Sequence, residues 1–365
     1  MIILAVKIFL ILFLTNLVIK MLEIKHTLCP SCSVGCGINV VSFEGDVVGT
    51  NSYKRHPINE GKNCLNGRNS IDIYKNKLES ALISNSDADF EKAIEEVISI
   101  LKSNGSEKIS VICSGNNSIE EVNAIKDFAE SNNYNIGFYA DNFVNIPEDV
   151  ASYDDVENAS TIIAIGDILY ENPLVGRRIA HAKENGAEIY SFVDAPCVTA
   201  NISNEVFESL DDVLDKVADE SLIVCNKIES GEDMDKITGA AQKNSAKVLP
   251  VFSKCNTKGA LGIVDAKSKE EMIDLLDNTD VLLVFNDDIV SEIDFDYSRI
   301  KSIISFTPCA NSTSEISQIV IPIKSWLEND GNFVNSMGLT QNFESVVDSA
   351  DLSEIEVIEE IQNKL

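Results

Sequence analysis

Three thiols fall within eight residues in "CPSCSVGCG", as Cys29, Cys32 and Cys36, and a fourth, Cys64, follows after 27 intervening residues in "GKNCLNGRNS". Thiolates spaced C-x2-C-x3-C can wrap one corner of an iron–sulfur cube, because Gly35 and Gly37 let backbone amides approach the sulfides. Cys64 then closes the fourth corner, so the spacing favours a [4Fe–4S] cluster. Two alternatives stay open at this point. Structural zinc would need a second C-x2-C knuckle or a Cys/His set, for which His26 or His56 is the only nearby substitute. A pair of disulfides would need an oxidising compartment for which the sequence gives no argument. The other five cysteines (Cys113, Cys197, Cys225, Cys255 and Cys309) are scattered singly and read as small core residues.

The elements that must position these thiols can be read along the chain. "INVVSFEGDVVGTNS" is two β-branched runs around an "EGD" turn, a hairpin that carries the chain out and back between Cys36 and Cys64. Beyond residue 85 amphipathic helices alternate with short apolar strands. "DFEKAIEEVISILKSNG" has helical spacing, and "SIEEVNAIKDFAESNN" opens on a Ser118–Glu121 capping box. "KISVICSG", "NIGFYA", "STIIAIGD", "AEIYSFVD", "SLIVCNK", "AKVLPVFS", "DVLLVFND" and "IKSIISFTP" read as strands buried on both faces. The fold class is therefore α/β: a small amino-terminal iron–sulfur domain followed by doubly wound, mostly parallel α/β domains. The expected boundaries are an apolar leader or over-extended start at 1–20, a [4Fe–4S] domain at 21–80, and a discontinuous first α/β domain at 81–140 and 245–345. A second, dinucleotide-binding-like α/β domain fills 141–244, and an acidic helix closes the chain at 346–365.

Ligands in such sheets sit beyond the carboxyl ends of the strands. The best candidate is "IAIGDILYENPLVGRRI", where a strand ends at Gly166, Asn172 can cap, Pro173 suits the first helical turn and Arg177 and Arg178 follow one turn in. The spacing is not G-x-G-x-x-G, which argues against an ordinary nicotinamide site. A net charge of -30 argues against nucleic acid and anionic membrane surfaces as partners. The opening twenty residues read as an over-extended start, with Met21 as the natural beginning, or as a membrane anchor or signal peptide. A cytoplasmic location is expected, with the membrane question left to that leader.

Taken together these stretches resemble the molybdenum or tungsten pterin oxidoreductases, most closely the catalytic subunit of formate dehydrogenase. "CPSCSVGCG" with Cys64 is similar to that family's [4Fe–4S] domain, and "GDILYENPLVGRRIAHAKENGAEIYSFVDAP" to the segment that grips a pterin guanine dinucleotide. "FSKCNTKGALGI" and "SQIVIPIKSWLENDGNFVNSMGLTQ" resemble two later elements, in the family's order. The resemblance implies Cys29, Cys32, Cys36 and Cys64 as cluster ligands. It implies a dinucleotide site at Gly166, Asn172, Pro173, Arg178 and Asp194, and a pterin approach at Asn256, Gly259, Asp330, Gly331 and Asn335. The implied cofactors are a [4Fe–4S] cluster and a molybdenum- or tungsten-bis(pterin guanine dinucleotide), acting on formate or a related small one-carbon substrate.

Several positions depart from the family's pattern. Where a cysteine or selenocysteine followed by histidine bonds the metal, this chain reads "NIGFYADNFVNIP", with Phe143 about at the ligand position; Asp141 could bind through oxygen, as in some relatives, but an Asp-Asn pair in a loop is more simply a turn. Asn66 stands where many relatives carry a lysine between cluster and pterin, and "VDAP" lacks the arginine that often follows the aspartate. The family's closing β-barrel has no counterpart after "LSEIEVIEEIQNKL", which implies a separate dinucleotide-capping subunit besides an electron-transfer partner. No catalytic side chain is assigned. Three readings result: an oxidoreductase subunit, a degenerate electron-transfer or assembly subunit that keeps only the cluster, and an α/β binding module with a structural cluster.

Overall fold

The computed structural model describes residues 22–365; the expectations for residues 1–20 lie outside the described residues. The chain begins with an antiparallel sheet of β1 (Leu22–Leu28), β2 (Gly37–Phe43) and β3 (Asp46–Ser52), in that order. The expected hairpin is β2–β3, and it turns through Glu44 and Gly45 at positive φ. The sequence reading did not name β1. Its partner register, Leu28 opposite Gly37, makes the whole stretch from Cys29 to Cys36 the loop of a second hairpin. That loop is closed by the Cys29 N–H, which donates to the Cys36 carbonyl at 2.8 Å.

A short hairpin follows, β4 (Ala81–Ile83) and β5 (Ser86–Ala88), and then β6 (Ile109–Cys113) and β7 (Asn135–Phe138). Helix Phe90–Ser103 connects β5 to β6, and helix Ile119–Ser131 connects β6 to β7 and opens on the expected Ser118–Glu121 capping box. The chain then leaves to build a separate parallel sheet from β8 (Thr161–Ile165), β9 (Glu188–Phe192), β10 (Glu205–Phe207), β11 (Leu222–Cys225) and β12 (Lys247–Pro250), ordered β10-β9-β8-β11-β12. The sequence boundary at 244/245 assigned Lys247–Pro250 to the first α/β unit. It pairs instead with β11 as the edge of the five-stranded sheet, because "KVLP" fits either sheet by composition and only pairing decides.

The chain returns with β13 (Val281–Phe285), β14 (Ser302–Thr307) and β15 (Ile319–Pro322), which complete a seven-stranded sheet ordered β5-β4-β15-β14-β13-β6-β7. Its five long strands are parallel and only β4 runs against them, with β5 turning back along their direction. The central strands β6 and β13 are buried at every residue, which their unbroken apolar runs required. A last hairpin, β16 (Gly331–Val334) and β17 (Thr340–Phe343), precedes the acidic helix Glu354–Lys364. No helix among the described residues is long and apolar enough to cross a membrane.

The final helix packs on helices Ile119–Ser131 and Phe90–Ser103 and buries one carboxyl. Glu354 is 1% exposed, and its Oε2 accepts from Asn117 Nδ2 at 2.6 Å. Burial first, and then the neighbouring Glu121, push its pKa well above the usual carboxylate value; burial also raises Glu121. Both groups bind protons more tightly folded than unfolded. Their contribution is therefore complete below the ordinary carboxylate pKa and is lost as pH rises through the folded-state values. The melting temperature should fall between pH 5 and pH 9, and Glu354→Gln should recover about 2–4 °C at pH 9 with no gain at pH 5. Calorimetry at the two pH values checks this; an equal shift at both contradicts it.

Candidate iron–sulfur and cofactor site

Cys29, Cys32 and Cys36 all sit on the β1–β2 loop, and Cys64 caps the short helix Leu65–Asn69, where its Sγ accepts from the Gly67 N–H at 3.3 Å. The four thiols face one apolar hollow that they share with Val34, Ile38, Gly67 and Leu174. A Cβ on Gly67 would lie 3.4 Å from Cys29 Sγ and 3.7 Å from Cys64 Sγ, so the glycine keeps that wall low. All four are free thiols rather than disulfides. Among the described residues no group of three or more His, Cys, Asp or Glu forms a site for a single metal ion. The hollow is bordered by all four cysteines, and four thiols as a donor set fit a [4Fe–4S] cube.

Burial pushes the Cys32 thiol up to about 12 and Cys36 well above its ordinary value, with neighbouring thiols adding to both; burial also raises Cys29. Arg178 works the other way on Cys36. In a dry pocket the thiols keep their protons unless an electropositive group takes the sulfurs.

The loop is held from four directions. Ser33 Oγ accepts from the Phe252 N–H at 2.7 Å and lies 2.6 Å from Ser336 Oγ. Tyr153 Oη donates to the Val34 carbonyl at 2.8 Å. Trp326 Nε1 donates to the Leu28 carbonyl at 3.0 Å, and Gln341 Nε2 donates to the Gly35 carbonyl at 3.0 Å. Gly37 N–H donates to both His56 Nδ1 and Asn59 Oδ1, and burial lowers the His56 pKa, in keeping with a neutral acceptor ring.

Beside the thiol hollow a second one is lined by Cys32, Cys64, Asn66, Asn172, Asn226 and Ser253. A third continues it along the carboxyl edge of the five-stranded sheet, lined by Gly166, Asp167, Asp194, Cys197 and Lys227, and Glu171 borders both. Together they make a trough running from two of the sulfurs to Asp194. The wall contains an unpartnered buried acceptor, Asn226 Oδ1, while Asn226 Nδ2 donates to Glu171 and Asn172 at 2.8 Å each. A Cβ on Gly166, where φ is +95°, would meet Asn226 Oδ1 at 1.9 Å. Side chains of this size and polarity fit a long, polar ligand lying along the edge, although the far end is acidic, with Lys227 paired to Asp194 and Glu229.

Of the sequence candidates, Gly166, Asn172, Pro173 and Asp194 line this trough. Asn172 does not cap its helix: its Oδ1 receives Asn226 and its side chain lies against Cys32. Arg178 does not face the trough. It is buried on the inner side of helix Pro173–Glu184, where it donates to the Ile58 carbonyl at 3.0 Å and stacks over Tyr153. Sequence distance put it one turn from the helix start, but helical phase turns it toward the iron–sulfur domain.

The five later candidates form scaffolding. Asn256 is fully buried, with Nδ2 donating to the Asn117 carbonyl and Oδ1 accepting from the Val334 N–H, both at 2.7 Å. Gly259 gives Asn256 room, since a Cβ there would lie 2.2 Å from Asn256 Oδ1. Asp330 accepts from the Ser345 N–H at 2.6 Å, Gly331 packs on Phe343, and buried Asn335 lies against Gly35. Phe143 is fully buried edge-to-face on Phe252, with ring centroids 4.9 Å apart. Asp141, at positive φ, accepts from Ser253 Oγ at 2.5 Å and so stands one hydrogen bond behind the trough. The sequence reading missed Tyr153, Asn226, Ser253 and Gln341, although Ser253 and Gln341 lay inside stretches singled out for the resemblance and Asn226 near the end of an expected strand.

Residues 22–76 match the molybdopterin oxidoreductase Fe4S4 domain, and the four cysteines of the thiol hollow lie within that match. More particularly, about half of the chain is similar to formate dehydrogenase alpha subunits. It is 30% identical over 188 residues to the F420-dependent formate dehydrogenase 1 subunit alpha of Methanococcus maripaludis, a match covering 46% of this chain and 28% of that one. It is 30% identical over 207 residues to the F420-dependent formate dehydrogenase subunit alpha of Methanocaldococcus jannaschii, covering 50% of this chain and 30% of that one. The matched stretch thus spans less than a third of these relatives. In fold the chain is similar to acetylene hydratase from Pelobacter acetylenicus, with TM-score 0.61 and 11% identity over 93% of this chain and 69% of that one. A chain of the formyltransferase/hydrolase complex from Methylorubrum extorquens also aligns, with TM-score 0.53 and 11% identity over 78% of this chain and 98% of that one.

The crowding at Gly35 gives a test. Its φ is +76°, and a Cβ would lie 2.1 Å from Gln341 Oε1 and 2.8 Å from Asn335 Cβ. Gly45→Ala has a comparable φ of +92° with nothing within 4 Å. Gly35→Ala should cost about 1–3 kcal/mol beyond the backbone strain common to both and speed iron loss to a chelator, while Gly45→Ala should leave iron loss unchanged. Denaturant melts and iron release measure the two effects.

Proposed function

We propose that this chain is the iron–sulfur, pterin-binding subunit of a formate dehydrogenase-like oxidoreductase acting on formate or a related one-carbon substrate, with a second polypeptide closing the cofactor. The observation that carries the reading is that Cys32 and Cys64 border both the thiol hollow and the trough beside it. Cys29, Cys32, Cys36 and Cys64 would hold the [4Fe–4S] cluster, which supplies a one-electron site when bound. The trough would take a molybdenum or tungsten pterin, its ring end near Asn66, Asn226 and Ser253 and its guanine end near Gly166 and Asp194. The pterin metal supplies the bond-breaking redox chemistry when bound.

This chain's own residues bind and orient. The Gly67 amide donates to Cys64 Sγ and offsets charge on that sulfur. Asn172 and Asn226 tie the start of helix Pro173–Glu184 to the trough wall, and Asn226 also holds Glu171, the one ionic side chain on that wall. The relatives named as alpha subunits, and the structure titled as a complex, support a multi-subunit setting.

A second reading has specific support. Phe143 is buried at the position expected for the metal ligand, and the far end of the trough has Asp167, Glu171, Asp194 and Glu229 against Lys227. That charge opposes a pyrophosphate and favours an electron-transfer or assembly subunit that keeps only the cluster.

Anaerobically purified protein, made in cells that supply the pterin, should contain about four irons per chain together with molybdenum or tungsten and a releasable pterin. Cys64→Ser should lose most of the iron. Four irons with neither metal nor pterin would establish the second reading, and a colourless protein holding zinc would remove both.

A further inference from the structure

The two parallel sheets end in the same local device, and one copy is closed. In each sheet the strand order reverses at one point, between β8 and β11 in the five-stranded sheet and between β6 and β13 in the seven-stranded one. After β8 comes a residue at positive φ, Gly166, whose N–H donates to the Phe192 carbonyl of the neighbouring strand at 3.0 Å. Next is Asp167, whose Oδ1 accepts from Thr199 N–H and Oγ at 2.9 and 2.7 Å, and then the short helix Ile168–Glu171. After β13 the pattern recurs. Asn286 has positive φ and donates to the Phe306 carbonyl at 2.8 Å, Asp288 Oδ1 accepts from Thr313 N–H and Oγ at 2.7 and 2.9 Å, and the short helix Ile289–Glu292 follows.

The second copy contains one additional residue, Asp287, between the positive-φ position and the capping aspartate. Its side chain is fully buried and binds Lys254 Nζ at 2.5 Å. Lys254, only 9% exposed, also meets Glu292 at 2.7 Å, the counterpart of Glu171, which in the first copy borders the open trough. The Lys254 stem is packed against the β6 side as well, since a Cβ on Gly115 would lie 2.9 Å from Lys254 Cβ. Asn116 Nδ2 reaches across the opening to the Asn286 carbonyl at 3.4 Å. An entering pyrophosphate would have to expel the ammonium and then face the fully buried Asp287 and the partly buried Glu292 carboxylates, a costly exchange.

We infer that the seven-stranded sheet is a shut duplicate of the nucleotide edge, so that this chain seats one guanine nucleotide, at the Gly166 edge, and none at the Asn286 edge. The inference rests on the pterin reading above for the occupied edge, whereas the closure rests on the Lys254–Asp287–Glu292 contacts alone.

Two measurements on the full-length, anaerobically purified protein test it. Acid hydrolysis should release about one GMP per chain, and two per chain would overturn the inference. No GMP would remove the pterin reading while leaving the closure to the second measurement. There, brief acetylation of the native protein with a water-soluble amine-reactive ester, read by mass spectrometry, should modify Lys254 at least ~100-fold more slowly than Lys301, whose side chain is 67% exposed. Labelling of Lys254 within a few fold of Lys301 would overturn the closure.

Discussion

Four sulfurs in a dry hollow are the constraint around which this chain is arranged. A thiol placed among Val34, Ile38 and Leu174 resists ionising, so the protein must offer the sulfurs to a group that will take up their charge and must hold them apart until it arrives. The β1–β2 loop cannot do this from its own residues, since Gly35 and Gly37 leave it conformationally free. The restraint comes from elsewhere: a tyrosine from the segment before β8, a serine pair, a tryptophan and a glutamine all bond to backbone or hydroxyl groups of that loop or its entry. Arg178 performs the matching task on the far side by tying helix Pro173–Glu184 to Ile58.

This arrangement explains what the sequence could and could not disclose. The cysteine spacing and the unbroken apolar runs carry their meaning locally, so the four thiols, the doubly wound class and most strands were legible. Strand partnership is not local. "KVLP" offers nothing that distinguishes one parallel sheet from another, and Lys247–Pro250 was placed with the wrong one. Side-chain direction was the second blind spot. Arg178 and Asn172 stand near a helix start by number, yet helical phase sends one under the cluster domain and the helix geometry leaves the other without a capping bond. Asn256, Gly259 and Asn335 came from the family resemblance, and in the fold their contacts are to backbone groups and neighbouring side chains.

Between the thiols and the trough the wall is mostly amide and hydroxyl, with Glu171 its one ionic side chain. Ser31 donates to the Asn66 carbonyl, and Asn172, Asn226 and Ser253 share the boundary. The other charges lie outside this zone, in the acidic far end and in the Lys254 ion triad of the other sheet. Amide and hydroxyl dipoles can be oriented toward either redox state at small reorganisation cost, which a fixed ammonium in the same place could not do.

The grip of Gln341 on Gly35 has a consequence for biogenesis. Residue 341 emerges from the ribosome long after residue 36, and helix Pro173–Glu184 and Ser336 also arrive late relative to the loop they restrain. Until then the nascent cysteines are loosely tethered and open to solvent. Iron delivery to this chain therefore belongs after residue 341 has emerged, and a truncation just short of the β16–β17 hairpin would yield a polypeptide with every ligand present but without the Ser336 and Gln341 contacts that complete the mould.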